Sequence, residues 1–263
     1  MGWVVYLASS GYRKRLKDNL GRAGYGSQLA AAVTEAGKGA LELPFVWCAP
    51  LARVLAKTHA ENWELVTETL ESGRSVLFLT PHLGCFEILA LYITQSTPLT
   101  VLYRPPRKDI LRPLIEQARA RGGALTLAPA NLSGVRTLLK ALKNGRSVGL
   151  LPDQVPQQGE GVWADFYGKP AYTMTLPGKM SQMTGARVLL SYAERLPQGK
   201  GFALRFVPLD ESLEGTPEQQ ATTINRAMEH LIAACPAQYF WSYNRYKAPA
   251  GAAPRPDKTE EQV

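Results

Sequence analysis

The chain has 263 residues, 45% of them hydrophobic, and 30 Lys and Arg against 22 Asp and Glu give a formal net charge of +8. That length and apolar content suit one large α/β domain with a substantial core, and the basic excess favours anionic partners: phospholipid headgroups, phosphorylated sugars, acidic carrier proteins or nucleic acid. Cys48, Cys85 and Cys235 are odd in number, widely spaced and free of C-x-x-C spacing, so neither a disulfide framework nor a zinc site is indicated, and a reducing, cytoplasmic setting fits best.

No apolar window reaches the ~20 residues needed to span a bilayer. The start nevertheless sets Trp3 and Tyr6 in a short apolar run, with Arg13, Lys14, Arg15 and Lys17 crowded behind it. Aromatics beside basic charge suit the cytoplasmic side of a membrane interface, whereas a signal peptide would carry its charges first. A helix packed on the domain with a solvated basic face is the alternative. Residues 1–24 are therefore expected to be a membrane-proximal segment, 25–247 a single domain, and 248–263, rich in Pro, Ala and charge, a disordered tail.

Residues 28–58 read as helical, and 60–72 as a second helix closed by Gly73. The run Val76-Leu77-Phe78-Leu79 is too short for a helix and rich in strand formers, so it reads as a core strand. Pro81 discourages helix at Thr80, Gly84 loosens the turn, and Phe86, Ile88, Leu89, Leu91 and Tyr92 mark an amphipathic helix. His82 thus falls at the carboxyl edge of the sheet, where open α/β sheets place ligands. With Glu87 in the first helical turns, the backbone can fold a carboxylate back toward the imidazole, fixing its tautomer. An ordinary strand-to-helix turn with a solvated His is the competing reading.

A second strand, 99–103, leads into Arg104-Pro-Pro-Arg107; a helix over 110–121 stops at Gly122-Gly123. A strand at 125–127, a helix over 135–142 and a strand over 147–151 follow, the last running into Pro152-Asp153-Gln154. Strands alternating with helices imply a mainly parallel twisted sheet covered on both faces, with three strand ends delivering His82, Arg104 and Asp153 to one edge. Beyond lie a polar loop at 157–161, a short strand or hairpin arm at 163–168 and a helix over 175–184. A strand pair, 186–194 and 202–207, and a last long helix over 216–234 complete the pattern.

In that order, His82-x4-Glu87, Tyr103-Arg104-Pro105, Leu151-Pro152-Asp153-Gln154, the segment 166–171 and the terminal block 236–247 resemble the bacterial lipid A biosynthesis acyltransferases, lauroyl and myristoyl transferases of the lysophospholipid acyltransferase superfamily. The likeness spans roughly 60–247. Two departures stand out. Tyr243 and Asn244 occupy positions where many relatives carry His and Arg, leaving Arg245 and Lys247, and the chain reads as starting inside or just after the longer amino-terminal membrane helix of such relatives.

The resemblance implies a glycerolphosphate-acyltransferase-like fold and an enzyme at the cytoplasmic face of the inner membrane, held peripherally or by an amino-terminal helix. It implies an acyl donor on acyl carrier protein, a 3-hydroxyacyl chain on a phosphorylated glucosamine disaccharide as acceptor, and no metal or nucleotide cofactor. His82 would be the general base, with Glu87 orienting its ring; Arg104 would meet phosphate or a developing oxyanion. Asp153 would bind Arg104, position the acceptor or merely cap a turn. Arg245, in the aromatic and basic terminal block, would hold a phosphorylated headgroup or close the core. Another lyso-lipid acceptor, such as lyso-ornithine lipid or a mannosylated phosphoinositide, and a non-catalytic lipid- or carrier-binding protein are the alternatives. A nucleic-acid binder has only the charge in its favour.

Overall fold

The computed structural model describes residues 1–106, 108–157 and 159–256; Arg107 of the basic turn, Gln158 of the polar loop and 257–263 of the tail lie outside the described residues. The chain begins with α1 (Gly2–Ala8) and α2 (Ser10–Arg22), and the Ser9 hydroxyl caps α2 by accepting from the Tyr12 N–H. Next come α3 (Leu29–Cys48), α4 (Leu51–Leu55), the strand β1 (Thr58–Glu61) and α5 (Glu64–Glu71). Single helices over 28–58 and 60–72, expected from the sequence, do not form. Ala49, preceding Pro50, is forced extended at ψ 153 and ends α3, and Thr58–Glu61 is drawn into the sheet by pairing with Phe202–Arg205, a partner that local propensity does not reveal.

Strand and helix then alternate: β2 (Val76–Leu79), α6 (Glu87–Ile93), β3 (Leu99–Tyr103), α7 (Arg112–Ala120), β4 (Leu125–Pro129), α8 (Leu132–Lys143) and β5 (Ser147–Leu150). The hairpin β6 (Gly161–Phe166) and β7 (Lys169–Met174), α9 (Leu176–Thr184), β8 (Arg187–Arg195), β9 (Phe202–Pro208) and α10 (Pro217–Ala234) follow. A capping box between Thr216 and Gln219 starts α10.

Seven strands form one sheet in the order β1-β9-β8-β2-β5-β3-β4; every neighbouring pair is parallel except β8 with β9. The mainly parallel sheet flanked by helices is the architecture expected. Central β2 is buried on both faces, and its alternation divides two cores. Leu77 and Leu79 pack with Leu138, Met180 and Met228, while Val76 and Phe78 pack with Val46, Ile88 and Phe206. Each such side chain contributes about 1.5–3 kcal/mol by leaving water.

This order fixes what meets at the sheet edge. β2 and β5 are paired in parallel, Leu79 opposite Leu150, so the segments holding His82 and Asp153 leave the sheet side by side. β3 lies beyond β5, which sets Arg104 one strand farther out. The chain after α10 returns to this edge: Leu83 bridges Tyr239, and the Phe240 N–H donates to the His82 carbonyl at 3.1 Å. The described part of the tail, expected to be disordered, lies against the hairpin. Trp163 Nε1–H donates to the Ala253 carbonyl at 2.9 Å, and Arg255 stacks over the Trp163 ring. Composition flagged the tail's polarity but not the aromatic face waiting for it.

Candidate active site

The turn that presents His82 is held by backbone on every side. Thr80 N–H extends the β2 ladder to the Leu150 carbonyl, Leu83 N–H closes a tight turn onto Pro81, and Gly84 and Cys85 N–H donate to Gln238 and Ala193. Gly84 has φ +60, and a Cβ there would lie 1.8 Å from the Ala193 carbonyl oxygen, so no other residue fits without displacing that backbone.

His82 is tied to Asp153, not to Glu87. The His82 N–H donates to Asp153 Oδ2 at 2.9 Å, and its Nδ1 lies 2.8 Å from Asp153 Oδ1. Burial pushes the Asp153 carboxyl up, but the charge of His82, the hydrogen bonds from its ring and backbone, and Arg245 outweigh this and hold it below the ordinary carboxylate range. An ionised carboxylate only accepts, so Nδ1 carries the hydrogen and the lone pair of the neutral ring lies on Nε2. Gln154 Nε2 sits 3.0 Å from that atom and donates to it. A ring so oriented, with its free nitrogen toward an acceptor hydroxyl, is built to take a proton. Phe86 at 4.9 Å and Phe240 at 6.3 Å, ring centre to ring centre, line the imidazole with apolar surface.

Glu87 does stand in the first turn of α6, but its two oxygens accept from Arg119 Nε and Nη2 of α7, at 3.0 and 2.5 Å. A bidentate guanidinium outcompetes the folded-back arrangement expected from His-x4-Glu spacing, and both ring nitrogens of His82 are already engaged. Arg104 sits at the end of β3, exposed, without a hydrogen bond or ion pair among the described residues. It does not bind Asp153, whose carboxylate faces His82.

Arg245 is 3% exposed and reaches neither solvent nor the imidazole. Its Nη atoms donate to the Tyr172 carbonyl, the Thr173 hydroxyl and Asn225 Oδ1, at 2.8, 2.7 and 3.1 Å, and its plane lies over Phe166. The expectation that it holds substrate is corrected: alternation in the terminal block turns this one cation inward, where it ties β7 to α10. Arg245→Ala is expected to lower stability by about 3–5 kcal/mol through the polar groups it strands. A urea midpoint equal to that of the unaltered chain would refute this bracing role.

Cys85, also beside the site, is no rival nucleophile: burial, then the Glu42 carboxylate, pushes its thiol well up. Gln154 carried no assigned role in the sequence. Its place next to Asp153 was the available signal, but only the pairing of β2 with β5 brings it to the ring.

Residues 27–248 match the family described as bacterial lipid A biosynthesis acyltransferase. The chain belongs to this family. It is 27% identical over 227 residues to the lipid A biosynthesis lauroyltransferase of Escherichia coli, covering 83% of this chain and 72% of that protein. It is 26% identical over 181 residues to a lipid A biosynthesis acyltransferase of Haemophilus influenzae, covering 68% of this chain and 55% of the relative. With the E. coli lipid A biosynthesis palmitoleoyltransferase the identity is 24% over 212 residues, 80% of this chain and 68% of the other. The likeness to this family therefore extends across the whole sheet, the His82 turn and the terminal segment.

Proposed function

We propose that the protein moves a fatty acyl chain from acyl carrier protein to a hydroxyl of a phosphorylated lipid A precursor at the cytoplasmic face of the inner membrane, with His82 as general base. The observation that carries this is the His82–Asp153 hydrogen bond, which leaves Nε2 as the proton-accepting atom. The acceptor hydroxyl displaces the Gln154 amide from Nε2 and gives up its proton there as its oxygen attacks the thioester carbonyl. Collapse of the tetrahedral intermediate breaks the carbon–sulfur bond, and the departing thiolate takes the proton from the imidazolium, restoring the neutral ring. Asp153 stabilises the transient positive charge, and Phe86 and Phe240 offer an apolar approach for the acyl chain. Arg104, exposed at the same sheet edge, is suited to meet anionic parts of either substrate.

Placement at the membrane rests on the first two helices. Trp3, Val4, Val5 and Leu7 of α1 are exposed, and Arg13, Lys14, Arg15 and Lys17 follow on α2. No helix among the described residues is long and apolar enough to cross a membrane. Apolar side chains backed by cations suit partial insertion into an anionic surface. Charge agrees with that donor: acyl carrier proteins are acidic and this chain is +8.

The test is mass spectrometry after incubating the membrane-bound protein with a panel of acyl carriers and lyso-lipid acceptors. The expected product is heavier by one acyl chain, and His82→Ala lowers its rate of formation about 10²-fold or more. Transfer that persists at full rate in His82→Ala would end the general-base reading.

A further inference from the structure

We infer that Arg22, Lys169 and Arg255 form an anion site on Tyr246, separate from the imidazole and built for a phosphate group. Arg22 lies over the Tyr246 ring at 5.1 Å and Lys169 Nζ at 5.2 Å from the same ring centre, so the two charges are no farther apart than those distances together. Arg255 donates from Nη2 to the Tyr246 carbonyl. The ring itself is fixed, because its hydroxyl donates to the Phe166 carbonyl at 2.9 Å.

Among the described residues no carboxylate is paired with this group. None of the three cations forms an ion pair among the described residues. Glu229 and Asp165 act on Tyr246 from a distance; Glu229 accepts from the Tyr167 N–H instead, and Asp165 pairs with no cation among the described residues. Burial, then the charges of Arg22 and Arg255, pull the Lys169 ammonium down, as cations crowded together do to one another. The aromatic face offsets only part of that repulsion. A doubly charged phosphomonoester would remove it and accept from guanidinium and ammonium donors together.

The site shares a segment with the imidazole. Phe240 holds the His82 carbonyl, Tyr243 lies 6.4 Å from Phe240, and Lys247 lies over Tyr243 at 5.7 Å. A phosphorylated glycolipid lying along this segment could be anchored by its phosphate at Tyr246 while a hydroxyl on one of its chains reaches His82. That source of the phosphate rests on the acyltransferase reading; the anion site does not.

The test is equilibrium binding to the full chain of two probes: inorganic phosphate, and micelles carrying a phosphorylated glucosamine glycolipid or its dephosphorylated counterpart. The wild type is compared with Arg22→Gln/Lys169→Gln and with Lys169→Arg. The expected result is tighter binding of the phosphorylated glycolipid by tenfold or more, lost in the double variant, kept in Lys169→Arg and weakened by salt. Binding of inorganic phosphate that is lost in the double variant, without preference between the two lipids, upholds the site and assigns it to a free anion. Equal phosphate binding by wild type and double variant, at matched melting temperatures, overturns it. Should the double variant melt early, Lys169→Gln alone gives the same readout at a solvent-accessible side chain. None of these outcomes depends on turnover, so an inactive preparation would count against the acyltransferase reading alone.

Discussion

Asp153→Asn is expected to lower kcat by roughly 10³–10⁴-fold, the scale seen when a buried acid that orients a catalytic histidine becomes an amide. The carboxylate accepts two hydrogens from one residue, the His82 backbone N–H at Oδ2 and the ring at Oδ1. An amide has only one acceptor oxygen. If that oxygen keeps the ring, the amide NH₂ faces a backbone N–H, at a cost of about 1–3 kcal/mol for the unsatisfied buried donor. If it turns to keep the backbone, the NH₂ donates to Nδ1, the hydrogen moves to Nε2, and the base is lost. Steady-state kinetics should show the loss in kcat more than in KM; an unchanged kcat would remove Asp153 from the mechanism.

The same substitution changes the response to acid. The folded-state pKa of Asp153 is depressed, so its contribution to stability is complete above the unfolded carboxylate value of about 4 and is lost as pH falls through the lower folded value. Urea midpoints of the wild type should therefore fall with acid below about pH 4, and more steeply than those of Asp153→Asn. Parallel curves would show that the carboxylate is not held low.

Gly84→Ala is expected to cost about 2–5 kcal/mol, combining the penalty for a left-handed backbone with that of forced overpacking. The added carbon would press on the Ala193 carbonyl oxygen, which already accepts from the Cys85 N–H at 2.9 Å. β8, which supplies that oxygen, is paired on both sides, so the His82 turn has to shift instead. Activity should fall further than the loss of folded protein explains, because a ring displaced by an ångström no longer meets both Asp153 and the acceptor. A variant with wild-type melting and kcat would mean that the turn tolerates what its backbone angles forbid.

The fold was legible where periodicity was strong. Val76–Leu79 announces a strand buried on both faces, and the alternation from there to Leu150 announces a parallel sheet. β1 was not legible, since Thr58–Glu61 has no apolar alternation and exists only because β9 accepts it. At the site, His82 was marked by its position at a strand end, and Asp153 by the same logic, yet their partnership was hidden. Spacing favoured Glu87, five residues away, over a residue 71 positions distant. Strand order decides such contests, and strand order is a property of the folded sheet. Arg245 shows the opposite hazard: a cation in a basic, aromatic block reads as surface recognition until burial shows its Nη atoms bonded inside to Tyr172, Thr173 and Asn225.

The protonation of His82 is the most direct test, because the chain has only three histidines and ¹⁵N spectra can resolve each ring nitrogen. At a pH where the ring is neutral, the expected spectrum has hydrogen on Nδ1 and an unprotonated Nε2. Hydrogen on Nε2 in the wild type would contradict the arrangement on which the chemistry depends.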